Sequence, residues 1–211
     1  MVDADCEVDV FIFDLFGVVI DFDDAIAYAR LARHCADPAG AVAQLDGLLA
    51  GYDFCTGRLT LPEIHRRLVE AEGLTLSYPD FEAAWQEPYT WAMPGMAPLL
   101  ERLADRYRLV LLSNVDQYYW PVVRAAHPEL DRFSALLLSC DLGAAKPEPE
   151  AFLRACQVAD TAPARCLFVD DSDVNVDAAR RLGFRAHRFR GVAGLVARLR
   201  RAGVMGLDGL A

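Results

Sequence analysis

The protein has 211 residues, is 54% hydrophobic and carries a formal net charge of −10. This length supports one sizeable core with room for a small second unit. The acidic balance and the lack of a basic block argue against nucleic acid and anionic membrane as partners.

The N-terminal stretch Met1-Val2-Asp3-Ala4-Asp5 is acidic and lacks the basic-then-apolar order of a signal peptide. Cys6, Cys35, Cys55, Cys140, Cys156 and Cys166 are scattered and form no C-x-x-C pair. They read as reduced thiols of a cytoplasmic protein and offer no clustered zinc ligands. Of 21 basic residues, Lys146 is the single lysine, although arginine fills even surface-type runs such as Arg66-Arg67. Unless it survives by chance, such a lysine marks a place that needs a compact point charge rather than a planar fork.

Residues 8–13 form a short run, apolar but for Asp9, that ends at Asp14 and turns at Gly17. The run is too short to span a membrane and reads as a buried strand. A carboxylate at the end of such a strand is costly unless a charge meets it. Asp14 is therefore either a paired structural acid or a reacting group. Helical spacing follows over 23–34, is broken at Pro38 and Gly40, and resumes over 42–49. Thr60-Leu61-Pro62-Glu63 is a capping box with proline in the first turn, predicting a helix to Glu72 that Gly73 stops. Ser77-Tyr78-Pro79-Asp80 opens a fourth helix carrying Phe81, Ala84 and Trp85. Residues 22–91 thus read as an inserted helical bundle with no convincing strand.

Beyond this segment the pattern changes. Helices are predicted over 94–105, 117–126, 149–157, 173–182 and 192–201, and strands over 109–112, 135–138, 166–169 and 185–189. Strand–helix alternation of this kind predicts an α/β fold, a Rossmann-like doubly wound parallel sheet. The expected organisation is a core of 1–21 and 92–211, with 22–91 as the inserted helical unit.

Three predicted strands end in polar groups that would meet at one sheet edge: Asp14, then Ser113-Asn114, then Asp170-Asp171. Lys146 lies on the loop after the 135–138 strand. Acids that close repel one another unless a cation sits among them. Oxygen ligands at this density suit Mg²⁺, and the lysine and hydroxyl suit an anionic substrate.

Asp14-Leu15-Phe16-Gly17-Val18, Ser113-Asn114, Lys146-Pro147 and Asp170-Asp171 with Asn175 resemble, in order, the four motifs of the haloacid dehalogenase (HAD) superfamily. The resemblance covers essentially the whole chain and puts 22–91 in the place of a helical C1 cap. More narrowly, the chain is similar to the branch of sugar-1-phosphate phosphatases and the phosphatase domain of soluble epoxide hydrolases. Trp120-Pro121 and His127-Pro128-Glu129-Leu130 lie where that branch has similar residues.

The resemblance implies a Mg²⁺-dependent hydrolase of a small phosphorylated metabolite, with sugar-1-phosphates as one candidate class. Asp14 would be the nucleophile that forms an aspartyl-phosphate. Mg²⁺ would be held by the Asp14 carboxylate, the Phe16 carbonyl and Asp171, with Asp170 behind them or acting through water. Ser113 Oγ and the Asn114 backbone N–H would bind the phosphoryl oxygens. Lys146 would neutralise charge on Asp14 and the phosphoryl group, and Asn175 would hold Lys146 or the Asp171 loop. No nucleic acid or membrane partner is expected, and the state would be a monomer or weak homodimer.

One position departs from the family. Most of its phosphatases carry a second aspartate two residues after the nucleophile, as general acid and base, and here that residue is Phe16. General acid–base help is worth about 10²–10⁴-fold. Three readings follow. A phosphatase could act on a leaving group that departs without protonation, with a group of the cap or Asp21, Asp23 or Asp24 activating water. A metal-independent 2-haloacid dehalogenase would tolerate the aromatic residue, but Asp170-Asp171 opposes it. A HAD-fold binding or regulatory protein could have lost turnover.

Other eye-catching residues read as structural. His34, His65, His127 and His187 suit packing or solvated roles. Cys55 lies in a loop where C1 caps touch substrate, yet suits packing. Trp85, Tyr89 and Trp91 suit packing in the helical unit and its hinges, and Tyr118, Tyr119 and Trp120 follow the second motif closely enough to line an entrance. Asp173 and Asp177 suit exposed positions near a helix start. Hinges are expected near 21–23 and 89–94.

Overall fold

The computed structural model describes residues 8–210; the N-terminal acidic stretch and Cys6 lie outside them. In chain order the elements are β1 (Val10–Phe13), β2 (Ile20–Phe22), α1 (Asp24–Ala32), α2 (Pro38–Leu49), α3 (Leu61–Glu72), α4 (Tyr78–Trp85) and β3 (Thr90–Ala92). There follow α5 (Met96–Ala104), β4 (Arg108–Ser113), α6 (Trp120–Ala126), β5 (Ala135–Leu138), α7 (Ser139–Leu142) and α8 (Pro149–Ala159). The last elements are β6 (Cys166–Asp170), α9 (Asp173–Arg181), β7 (Arg185–Arg188) and α10 (Val192–Arg201).

Five strands form a parallel sheet in the order β5-β4-β1-β6-β7. β1 is central and apolar on both faces, as a strand covered twice must be. Phe11 and Phe13 enter one core layer with Leu111 of β4, Leu99 of α5 and Leu195 of α10. Val10 and Ile12 enter the other with Leu112, Phe152 of α8 and Ala179 of α9. The doubly wound sheet read from the sequence is the observed architecture. No helix among the described residues is long and apolar enough to cross a membrane.

The segment 22–91 departs from its all-helical reading at both ends. β2 and β3 pair antiparallel, Ile20 with Ala92 and Phe22 with Thr90. Each strand has three residues. That is too short to show a period of two, and the pairing partner lies about seventy residues away, so local pattern carried no signal. The ribbon spans the two stretches expected to be hinges. Helix starts differ as well. α2 begins at Pro38, not at 42, because the Asp37 side chain accepts from Ala39 N–H and proline suits the first turn. At α3, Thr60 makes no side-chain cap bond, and Glu63 instead pairs with Arg67 one turn on, at 2.5 Å. α6 begins at Trp120 rather than 117, because Asp116 Oδ1 accepts from the N–H groups of Tyr118 and Tyr119 and turns the chain before the helix.

Candidate active site

β1 lies between β4 and β6, so the C-terminal ends of these three strands are neighbours. Asp14 follows β1, Ser113 ends β4 and Asp170 ends β6. Ligands of doubly wound sheets bind at this edge. The Asp14 N–H donates to the Val169 carbonyl at 2.9 Å, and Asp14 Oδ1 accepts from Leu15 N–H at 2.7 Å. Gly17 then turns the chain with φ +76°, and a Cβ at this position would lie 2.8 Å from Asp171 Oδ2. Glycine thus serves both the turn and the approach of Asp171.

Lys146 Nζ lies 2.5 Å from Asp14 Oδ1 and 2.9 Å from Asp170 Oδ2, and the residue is 1% exposed. Its ammonium also sits 5.7 Å from the Phe168 ring centre. The loop that carries it is fixed by Asn114, whose Nδ2 donates to the Lys146 carbonyl at 2.8 Å and whose Oδ1 accepts the Lys146 N–H at 2.9 Å. Asp170 is fully buried and also accepts from Ser172 N–H and from Asn175 Nδ2. Asn175 therefore reaches Lys146 through Asp170 rather than directly. Asp14, Asn114, Lys146, Asp171 and Asn175 face a common cavity of about 340 Å³, and Asp170 stands behind them.

Burial pushes the Asp14 carboxyl up to about 7, with the Asp170 charge adding to the effect and Lys146 opposing it. Burial alone would lower Lys146, but Asp14 and Asp170 outweigh it and hold its pKa above the usual lysine value. Partial desolvation and Asp170 raise Asp171 as well. Carboxylate oxygens of Asp14, Asp170 and Asp171 come within 4.8 Å of one another, and Lys146 pairs with the first two. The two negative charges left over match one divalent cation, and an all-oxygen donor set with carboxylates suits Mg²⁺. The residues fit that ion.

Ser113 Oγ is buried with no hydrogen-bond partner among the described residues, one residue before the cavity-lining Asn114. A buried donor left unpaired is costly, and an arriving anionic oxygen is the kind of group that satisfies it. Phe16 packs edge-on against Phe22, with ring centres 5.4 Å apart, and offers no proton. Of the three acids considered as its replacement, Asp24 alone lines the cavity. Asp23 caps α1 and Asp21 accepts its neighbour's N–H.

The far wall comes from the 22–91 segment and the loop after β4: Phe54, Cys55, Trp85, Tyr89 and Asp116. The Cys55 loop is tied to the core by Ser139, whose Oγ donates to the Cys55 carbonyl at 2.6 Å and accepts from Val115 N–H at 3.0 Å. Phe54 stacks on Tyr118 with ring planes 4° apart, and Tyr89 stacks on Tyr119. Trp85 and Tyr89, read as packing residues, thus pack and line the cavity at once.

Asp116 is the residue that sequence reasoning missed. It is 8% exposed, lines the cavity, and burial pushes its carboxyl up to about 6. It lies in the loop between β4 and α6. The available signal was its place two residues after Asn114, at the end of a site-bearing strand. The histidines take structural positions: His127 is buried between Thr90 and Glu129, and His65 bonds the Leu76 carbonyl.

Residues 8–183 match the family model described as haloacid dehalogenase-like hydrolase. A D-ribitol-5-phosphate phosphatase of Bacteroides thetaiotaomicron is 27% identical over 184 residues, 82% of this chain and 87% of that protein. A HAD family enzyme of the same organism, crystallised with magnesium and inorganic phosphate, superposes with a TM-score of 0.73 at 25% identity, covering 87% of this chain and 95% of that one. A predicted HAD-like family hydrolase of Porphyromonas gingivalis gives a TM-score of 0.74 at 26% identity, covering 93% of this chain and 99% of that one.

Proposed function

This chain belongs to the haloacid dehalogenase-like hydrolase family, and from that membership we propose that it is a Mg²⁺-dependent phosphatase of a small phosphorylated metabolite, acting through an aspartyl-phosphate on Asp14. The observation that carries the reading is the pairing of Asp14 with Lys146 at 2.5 Å beside two further carboxylates. A relative that dephosphorylates D-ribitol 5-phosphate and a neighbour that holds magnesium and phosphate both support it.

In this reading Asp14 and Asp171, with the Phe16 carbonyl, hold Mg²⁺. When bound, the ion supplies positive charge that lets a phosphoryl dianion approach a carboxylate. Asp14 attacks phosphorus, and the bond to the leaving oxygen breaks. Lys146 favours the ionised form of Asp14 against its burial and meets charge on the equatorial oxygens, and Ser113 Oγ and the Asn114 N–H donate to them. Asp170 and Asn175 position Lys146. Phe16 cannot protonate the leaving oxygen, so preferred substrates lose a weakly basic oxygen, as sugar-1-phosphates and acyl phosphates do. Asp24 takes the proton of the water that then hydrolyses the aspartyl-phosphate. Residues 22–91 act as a cap, closed on the core through Ser139–Cys55 and Phe54–Tyr118, which sheds water from the reacting groups.

The test is phosphate release from sugar-1-phosphates, acyl phosphates and an aryl phosphate, with and without Mg²⁺, in wild-type and Asp14→Asn protein. Release that needs both the ion and Asp14 supports the reading. Release that survives Asp14→Asn overturns it.

A further inference from the structure

Among the described residues, Lys146 is the single basic side chain lining the cavity, against four carboxylates, Asp14, Asp24, Asp116 and Asp171. Lys146 is already engaged by Asp14 and Asp170. With the phosphoryl group placed at Asp14, the far end of the cavity has no cation to receive a second anionic group. It has instead a buried acceptor and a buried donor that satisfy each other poorly. Asp116 spends Oδ1 on the N–H groups of Tyr118 and Tyr119, at 2.9 and 2.8 Å. The Trp85 indole N–H reaches the same carboxylate and favours its ionised form, but without the alignment of a full hydrogen bond. Trp85 is 4% exposed and Asp116 8%. A poorly satisfied buried donor next to a half-used acceptor in a cavity wall calls for a ligand atom that accepts from one and donates to the other. A hydroxyl does both. An ammonium only donates, and a carboxylate or phosphate only accepts and is repelled.

We propose that Asp116 and Trp85 form a specificity subsite for a hydroxyl of the leaving group, and that the acids around it exclude substrates with a second phosphate or carboxylate. The inference rests on the phosphoryl reading of the Asp14 end and names what lies at the other. Asp116 selects here by accepting the substrate's hydrogen bond. In Asp116→Asn, Oδ1 can still serve the two backbone N–H groups, but an amide N–H₂ then faces both the indole N–H and the hydroxyl.

The test is calorimetric binding to Asp14→Asn protein, which holds ligands without turning them over, in Mg²⁺. The probes are glucose 1-phosphate, glucose 1,6-bisphosphate and phenyl phosphate. The monophosphate is expected to bind at least about 10-fold more tightly than the bisphosphate. Adding Asp116→Asn should weaken glucose 1-phosphate by about 10- to 100-fold, the usual effect of losing a charged hydrogen bond. It should leave phenyl phosphate, which carries no hydroxyl, within about twofold and narrow the gap to the bisphosphate. Trp85→Phe, which keeps a ring and removes the N–H, should weaken glucose 1-phosphate by about 3- to 10-fold with phenyl phosphate again spared. Equal losses for both monophosphates would mark Asp116 as a helix-start support only and overturn the proposal. So would an unchanged affinity for glucose 1-phosphate, or a bisphosphate bound as tightly as the monophosphate. Phenyl phosphate binding that ignores Mg²⁺ would overturn the phosphoryl reading instead, while the Asp116 comparison between the two monophosphates would still be read.

Discussion

The side-chain amide of Asn114 and the main chain of Lys146 exchange two hydrogen bonds, at 2.8 and 2.9 Å. A residue at the end of β4 thereby fixes the loop that delivers the lysine. Asn114→Asp cannot donate to the Lys146 carbonyl and places a further negative charge beside the acid cluster. We expect a stability loss of about 1–3 kcal/mol by urea denaturation and a fall of more than about 10-fold in kcat/KM. Wild-type stability together with wild-type kcat/KM would show that the loop is held by other means.

Lys146 is buried between two carboxylates. Lys146→Met removes the cation and leaves both acids in the interior. Breaking a buried pair in this way costs about 3–5 kcal/mol. The variant should melt lower than wild type, lose activity and recover part of its stability as Mg²⁺ is added. Lys146→Arg, with a planar fork in a fully enclosed site, should also lose activity. A fully active arginine variant would show that charge alone suffices.

Phe16 stands where a proton donor would serve a poor leaving group, and it faces the cavity. Phe16→Asp should raise kcat toward an alkyl phosphate by about 10²-fold or more and raise it far less toward an acyl phosphate. The ratio of the two rates is the measurement. An equal change for both substrates would separate Phe16 from leaving-group protonation.

Ser139 ties the Cys55 loop to the core with a 2.6 Å hydrogen bond. Ser139→Ala leaves the Cys55 carbonyl and the Val115 N–H without this partner, at a cost of about 1–2 kcal/mol. If the loop closes over substrate, KM should rise several-fold with a smaller change in kcat. An unchanged KM would assign the bond to folding alone.

Asp116 gives a pH signature. Its carboxyl is held up to about 6 in the folded protein by burial, against an ordinary value of 3.8. Through that window the native state keeps a proton that the unfolded chain has lost, so this residue's contribution to stability falls as pH rises from about 4 to about 6. The penalty is complete above that range and amounts to about 3 kcal/mol at most. Asp116→Asn, which does not titrate, should gain stability relative to wild type over that range and hold the gain above it. Denaturation curves at pH 4.5 and 7.5 check this, and a difference that does not change with pH would contradict it.

Much of this was legible because the chemistry sits at strand ends. Asp14, Ser113 and Asp170 each follow an apolar run, and a parallel sheet forces such ends together. Lys146 announced itself by composition, as the one position where arginine had not taken over. What escaped reading depends on contacts distant in sequence. The β2–β3 ribbon is made of two three-residue pieces that pair across about seventy residues of sequence. Asp116 is an unremarkable loop acid until the 22–91 segment folds over it and removes its water. Asn175 was expected to hold Lys146 or the Asp171 loop, and it holds Asp170, a choice that spacing on a helix cannot make.

If Asp14 takes the phosphoryl group as proposed, the lack of an acid at Phe16 slows the second half-reaction and favours detection of the adduct. Protein mixed briefly with a sugar-1-phosphate or an acyl phosphate in Mg²⁺ would be quenched in acid and analysed by mass spectrometry. The expected result is one added phosphoryl group, mapped to the peptide containing Asp14 and missing both from Asp14→Asn protein and from samples without Mg²⁺. Rapid phosphate release with no adduct at any mixing time, or an adduct that persists in Asp14→Asn protein, would contradict the account.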